Sequence, residues 1–123
     1  MILTFTKKRK ELENGTKTTT IRIETPTRKD HYLKWAAGDS GGELAHLWWL
    51  NPRNQSPECY KIGKPPLKSI RIKTGRGLTN ADALKDGFSG IKSLRDCLMD
   101  ISDIHTDSEF DRAVFYIYEW EAD

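Results

Sequence analysis

The sequence has very little cysteine, with only Cys59 and Cys97 among 123 residues. Two thiols so far apart are too few for a disulfide scaffold or a cysteine-ligated zinc site, so we read both as reduced. His46 has no histidine, cysteine or carboxylate beside it at the spacing of metal ligands. We therefore expect neither a bound metal nor a cofactor.

The sequence also lacks a long apolar run. None approaches the roughly 20 residues that a membrane-spanning helix needs. Residues 1–10 lack the apolar segment and the small-residue cleavage site of a secretory signal. These absences predict a cytoplasmic protein with no membrane partner. The length, with 37% apolar and 31% charged residues, is typical of one globular domain, residues 1–123.

The net charge of +2 hides an uneven distribution of charge. Residues 1–76 hold 16 Lys and Arg against 7 Asp and Glu, a balance of +9, whereas residues 77–123 hold 4 against 11, a balance of −7. This division indicates either a basic surface suited to polyanions or two halves that pair across the fold. The basic run at residues 7–10 is likewise either a phosphate-binding edge or a solvated surface.

Residues 14–22 read Asn-Gly-Thr-Lys-Thr-Thr-Thr-Ile-Arg. A glycine turn followed by β-branched residues predicts a loop that enters a strand. Because side chains alternate along a strand, Thr20 and Arg22 share one face while Ile21 turns to the core. Lys17 arrives from the turn, so an amine, a hydroxyl and a guanidinium lie in one patch. The alternative is an ordinary exposed strand.

Apolar patterning predicts the other elements. We expect strands at residues 2–5, 43–50, 67–74 and 113–120, and a short helix at residues 7–12. In the third of these strands, Ile70 and Ile72 are predicted to point inward. In the last strand, alternation predicts one face with Val114, Tyr116, Tyr118 and Trp120 and the other with Phe115 and Ile117. Turn-forming residues predict loops at residues 25–30, 36–42 and 51–66.

Two further helices are predicted between these strands. Asn80 is a good N-cap for a helix over residues 81–85, and Ser89 is the expected cap of the next helix. The second helix carries apolar residues at helical spacing, which predicts a buried stripe of Ile91, Leu94, Leu98 and Ile101. Because strands outnumber helices, the pattern favours a mainly β, α+β fold: a small β-barrel with two or three flanking helices.

Residues 14–22, together with residues 80–89 (Asn-Ala-Asp-Ala-Leu-Lys-Asp-Gly-Phe-Ser), resemble the ASCH domain, a small relative of the PUA fold. Members carry a G-x-K-T-x-T-x-R-like run near the N-terminus and an acidic-Gly-Phe element that opens a later helix. The corresponding residues here run from Gly15 to Arg22 and from Asp86 to Phe88. The resemblance implies a PUA-like β-barrel over most of the chain.

Some bacterial ASCH proteins are amidohydrolases that remove the acetyl group from N4-acetylcytidine. The resemblance implies that Lys17 and Thr20 are catalytic, since both match in identity and spacing. The third catalytic residue of those enzymes, a glutamate, falls near Asp86, whose side chain is one methylene group shorter. A lysine acts as a base only if its pKa is lowered, which burial or a cation such as Arg22 can achieve.

ASCH domains are also proposed to bind RNA in a cleft beside the barrel, and some cleave RNA. For binding, Arg22, Arg71 and Lys73 would hold phosphates with Lys17, and Trp48 or Trp49 would stack on a base. Three functions therefore stay open: hydrolysis of an acylated cytidine, RNA binding without catalysis, and ribonuclease activity. In each case the partner is RNA or a modified nucleoside.

Overall fold

The structure is a computed structural model that describes residues 1–38, 42–51, 53 and 57–121. In chain order the elements are β1 (Ile2–Phe5), α1 (Arg9–Glu13), β2 (Thr19–Ile23), α2 (Pro26–Ala36), β3 (His46–Trp49), β4 (Tyr60–Gly63), β5 (Leu67–Thr74), a 3₁₀ turn (Gly75–Gly77), α3 (Asn80–Lys85), α4 (Ile91–Ile101), α5 (Asp107–Arg112) and β6 (Val114–Trp120). None of the described helices is both long and apolar enough to cross a membrane. The cytoplasmic location stays a prediction.

The strands form two three-stranded sheets. The first has the order β1-β3-β4, with β1 parallel to β3 and β3 antiparallel to β4. The second is antiparallel throughout and has the order β2-β6-β5. The strands predicted near both ends of the chain and at residues 67–74 are confirmed.

The two sheets are linked by backbone and side-chain contacts. Leu44 and Pro66 form an isolated antiparallel bridge where β3 and β5 begin. Elsewhere Arg22 Nη2 on β2 donates to the backbone carbonyl of Thr4 on β1, at 2.7 Å. The α+β class is confirmed, but the prediction of a mainly β fold is wrong, since the described residues are about 38% helix and 30% strand. No closed barrel is detected in the described part of the chain, so the barrel is not confirmed.

The central strand β6 separates two apolar clusters. Tyr116, Tyr118 and Trp120 pack with residues of β1, β3 and β5. The alternate residues Phe115 and Ile117 pack instead with Ile21 of β2 and with helices α3, α4 and α5. This division confirms the alternation predicted for the last strand, and it explains why that strand is apolar on both faces.

Helix α2 corrects the predicted loop at residues 25–30. The Thr25 hydroxyl accepts a hydrogen bond from the Arg28 backbone N–H at 3.2 Å, and Pro26 occupies the first helical position. Threonine followed by proline is a helix-start signal as well as a turn signal. The weak apolar periodicity of α2, none of whose residues is fully buried, gave no second sign of a helix.

The predicted loop at residues 51–66 is also wrong in part, since β4 lies within it. Residue 52 and residues 54–56 of this loop lie outside the described residues, as do residues 39–41 of the predicted turn. Two core predictions fail as well, because Ile72 is 45% exposed and Ile101 is 61% exposed. Ile101 stands at the end of α4, beyond the buried Leu94 and Leu98. On the predicted inward face of β5, only Ile70 is buried.

The helix caps differ from the predicted ones by one residue. Thr79, not Asn80, caps α3, in a reciprocal pair of hydrogen bonds with Asp82. The Asn80 side chain instead accepts from the backbone N–H of Ile91, at 2.8 Å, and so satisfies the start of α4. Gly90, not Ser89, stands at the N-cap position of α4. Asn80 therefore ties the two helices together on either side of Asp86.

Candidate active site

A cavity of about 300 Å³ opens beside β1, β2 and α4. Four residues singled out in the sequence line it: Lys17, Thr20, Arg22 and Asp86. We call it the Lys17 cavity. Its volume lies at the lower end of the range for small-molecule sites.

Backbone hydrogen bonds hold Lys17 against two helices. Its N–H donates to the Glu11 carbonyl at 3.0 Å, and the next N–H, of Thr18, donates to the Lys85 carbonyl at 2.9 Å. Asp86 is the C-cap of α3, and Gly87 follows it with φ +86°, a left-handed conformation that favours glycine. This tight turn aims the Asp86 side chain at Lys17 and brings the two chain segments within van der Waals contact.

Lys17 and Asp86 form a buried ion pair. The amine contacts the Asp86 carboxylate and also donates to the Asp86 backbone carbonyl at 2.9 Å. Lys17 is 4% exposed and Asp86 is 3% exposed. The aspartate therefore reaches the lysine, although its side chain is one methylene group shorter than the glutamate that the resemblance implies.

The surroundings of Lys17 favour its neutral form. Burial and the neighbouring cations Arg22 and Lys8 lower the pKa of Lys17 to about 7. The negative charge of a contacting carboxylate opposes this shift. An amine with such a pKa can gain or lose a proton near neutral pH, as a general base must.

Thr20 and Arg22 lie together on β2, on the same face. Arg22 Nε donates to the Thr20 hydroxyl oxygen at 3.3 Å, and the guanidinium stands over the ring of Phe5, with 5.3 Å to its centroid. Because the threonine oxygen acts as acceptor here, its own proton can be donated to a ligand. Burial, together with Arg28, lowers the pKa of Arg22 to about 10, so it remains a cation at neutral pH.

The cavity also contains residues that the sequence did not single out for this site. Phe5 and Phe88 supply aromatic surface, and the Lys8 amine lies 4.5 Å from the centre of the Phe88 ring. Arg28 enters from the first part of α2, where the sequence predicts a loop over residues 25–30. The sequence contains one sign of this position: Thr25 is a good helix N-cap, and a helix that begins there fixes the backbone at Arg28.

Positive charge dominates the lining. Among the described residues, five basic side chains and one carboxylate line the cavity, a balance of +4 when Lys17 is protonated and +3 when its amine is neutral: Lys7, Lys8, Lys17, Arg22 and Arg28 against Asp86. Two of the five belong to the basic run at residues 7–10. Such an excess attracts anionic ligands.

The four remaining residues singled out in the sequence do not line this cavity. Trp48 lies beside the Lys61 amine, 5.9 Å from it, and Trp49 packs against the cluster of β1 and β3. Lys73 and Arg71 pair with Asp82, at 2.7 and 3.7 Å. The phosphate and base contacts predicted for these side chains would therefore need a second surface.

Comparisons of the chain with protein-family models, with curated proteins and with solved structures found no match. Within the described residues, no group of three or more His, Cys, Asp or Glu side chains could hold a metal ion. The groups that the cavity does bring together are a buried amine, a carboxylate, a hydroxyl and a guanidinium. Such a set can move protons and stabilise a developing negative charge.

Proposed function

We propose that this chain is an ASCH-like domain that recognises a cytidine nucleoside in the Lys17 cavity and hydrolyses the N4-acyl amide of its acetylated form. The observation that carries the proposal is the buried contact between Lys17 and Asp86 inside a ligand-sized cavity. A buried lysine with a pKa of about 7 beside a carboxylate is suited to proton transfer. The ASCH resemblance supplies the substrate class.

In the proposed reaction, Lys17 acts as the general base. The neutral amine takes a proton from a water molecule as the water oxygen attacks the acyl carbonyl carbon. The proton passes through the Lys17–Asp86 pair to the N4 nitrogen as the C–N bond breaks. The products are cytidine and acetic acid, which releases its proton to the solvent and becomes acetate, and the catalytic groups return to their starting protonation states.

Thr20 and Arg22 stabilise the intermediate in this scheme. The tetrahedral intermediate carries its negative charge on the former carbonyl oxygen. The free hydroxyl proton of Thr20 can be donated to that oxygen, and Arg22 holds the hydroxyl in position from the other side. Phe5 and Phe88 supply aromatic surface against which the pyrimidine ring would pack.

The PUA-like barrel belongs to the same proposal. In this reading the Leu44–Pro66 bridge joins the two sheets on one side, and the hydrogen bond from Arg22 to the Thr4 carbonyl joins them on the other. Arg22 would then serve the fold and the site together. That arrangement accounts for a largely buried arginine without an acidic partner among the described residues.

A second candidate is RNA binding without catalysis. The positive charge balance of the cavity lining favours it, because phosphate contacts dominate the affinity of proteins for nucleic acids. A binding module of this kind should lose affinity steeply as salt rises. It should also tolerate the loss of the Asp86 charge.

An Asp86→Asn variant distinguishes the hydrolase from the RNA-binding module. If the domain is a hydrolase, we expect this variant to release acetate from N4-acetylcytidine about 10²-fold more slowly while binding the nucleoside within a few-fold of the unmodified chain. Asp96→Asn, on the exposed face of α4, makes the same charge change away from the cavity and is the control. Undiminished acetate release in Asp86→Asn would refute the catalytic role. No release by any form, with salt-sensitive RNA affinity, would favour the binding module.

A further inference from the structure

A second cavity, of about 420 Å³, adjoins the Lys17 cavity and has two guanidinium groups in common with it. Arg22 and Arg28 line both spaces. The second cavity extends from these arginines toward β1, the start of α2 and the far end of β6. Its other polar side chains are Thr27, His31, Glu43 and Tyr118.

Neither guanidinium has an acidic partner among the described residues. Arg22 donates to the Thr20 hydroxyl and the Thr4 carbonyl, and Arg28 Nη1 donates to the Ile23 carbonyl at 2.7 Å. These are neutral acceptors, which leave both positive charges uncompensated. A guanidinium group carries five N–H groups, so each arginine still has N–H donors that can bind a ligand.

Among the described residues, the carboxylate that lines the second cavity is that of Glu43, and it is already engaged. The two Glu43 oxygens lie 2.7 and 3.0 Å from His31 Nε2, and the His31 ring stacks on Tyr118. Glu43 is therefore turned to the histidine, away from any role as counter-ion of the arginine pair. The described residues of this lining therefore supply no anion to balance Arg22 and Arg28.

Two features of this junction favour an anionic ligand. Two guanidinium groups that lie close together repel each other. The pKa of Arg22 is lowered chiefly by burial and, second, by the positive charge of Arg28. An anion between them would remove that repulsion and form charge-assisted hydrogen bonds. Thr27, in the first turn of the 11-residue helix α2, also lines this cavity, so the positive end of the helix lies nearby.

We propose that Arg22 and Arg28 form a phosphate subsite at the junction of the two cavities, so that a phosphorylated cytidine binds this domain more tightly than the free nucleoside does. The base lies in the Lys17 cavity and the phosphate between the two guanidiniums. The choice of cytidine rests on the proposed function. The phosphate subsite does not, because it can be tested without any turnover.

The first test is a titration with inorganic phosphate, followed by calorimetry and by ³¹P NMR. We expect Arg28→Gln to weaken phosphate binding at least about tenfold, since one of two charge-assisted contacts is lost. Lys29→Gln is the control, because Lys29 is the next residue of α2, is exposed and lines neither cavity. It should change the affinity less than about twofold. Equal losses in both variants, or no phosphate binding by the unmodified chain, would overturn the subsite.

The second test compares cytidine with cytidine 5′-monophosphate and with a short cytidine-containing RNA. The phosphorylated ligands should bind at least about tenfold more tightly than cytidine, and Arg28→Gln should remove that gain alone. Tighter binding of the monophosphate than of the RNA would identify a nucleotide as the source of the phosphate, and the reverse order would identify an RNA strand. Equal affinity for cytidine and both phosphorylated forms would refute the assignment. Phosphate binding without any cytidine affinity would retain the subsite and refute the proposed function.

Discussion

Replacing Lys17 with alanine is expected to lower kcat/KM for N4-acetylcytidine by at least about 10³-fold, because the variant has no group left to deprotonate the attacking water. The position of the amine supports so large an effect. Lys17 is 4% exposed and contacts a carboxylate in the cavity, and bulk solvent cannot easily replace a base at such a site. Steady-state assays of acetate release give the measurement.

Lys17→Ala also leaves Asp86 buried without its counter-ion, which can destabilise the fold by several kcal/mol. A second variant, Lys17→Arg, keeps a cation beside Asp86 but cannot act as a base, since a guanidinium stays protonated. We expect it to be inactive and folded, as judged by circular dichroism. Lys10→Ala, at an exposed position outside the cavity, is the control and should keep full activity. Turnover by Lys17→Arg at the unmodified rate would rule out Lys17 as the base.

Gly75→Ala is expected to destabilise the fold by about 3 kcal/mol or more, a large part of the 5–15 kcal/mol that holds a typical domain folded. Gly75 is buried where β5 ends, and its N–H donates to the Ala113 carbonyl at 2.9 Å. A methyl group there would overlap the backbone carbonyl of Phe110 and lie 2.8 Å from a ring carbon of the same residue. Helix α5 would have to move away from β5, which would open the core around Phe110.

Gly77→Ala is the matched control for this prediction, because it makes the same change in the same turn. A methyl group at Gly77 would meet its nearest atom at 3.7 Å, an ordinary contact. We expect a change below about 1 kcal/mol in the free energy of unfolding, measured in urea. If the two variants lose similar amounts of unfolding free energy, the loss comes from replacing a glycine in this turn and not from overlap with Phe110.

Elements with a clear apolar pattern could be predicted from the sequence. The alternation of Phe115 and Ile117 with Tyr116 and Tyr118 correctly separated the two faces of β6. Helix α2 could not be found in this way, because it packs at the surface and buries none of its residues fully. Ile101 was misplaced because periodicity shows which residues face the same way, and not how far the packing partner extends.

The candidate site was predictable only where its residues are close in sequence. Thr20 and Arg22 lie two residues apart on one strand, so alternation alone predicted that they share a face. Asp86 lies 69 residues from Lys17, and it was identified by the resemblance of its motif. Phe5 and Arg28 have no such motif, and their place in the cavity depends on how β1 and α2 pack against β2.

The most direct test of Lys17 as the base is the pH dependence of kcat/KM for N4-acetylcytidine, measured by acetate release from pH 5 to pH 9. The pKa of Lys17 is lowered to about 7, so the active neutral amine is lost as pH falls through that value. We expect kcat/KM to decrease about tenfold per pH unit below pH 7 and to be constant above it. A rate that stays constant from pH 5 to pH 9, or no acetate release at any pH, would contradict the proposed function.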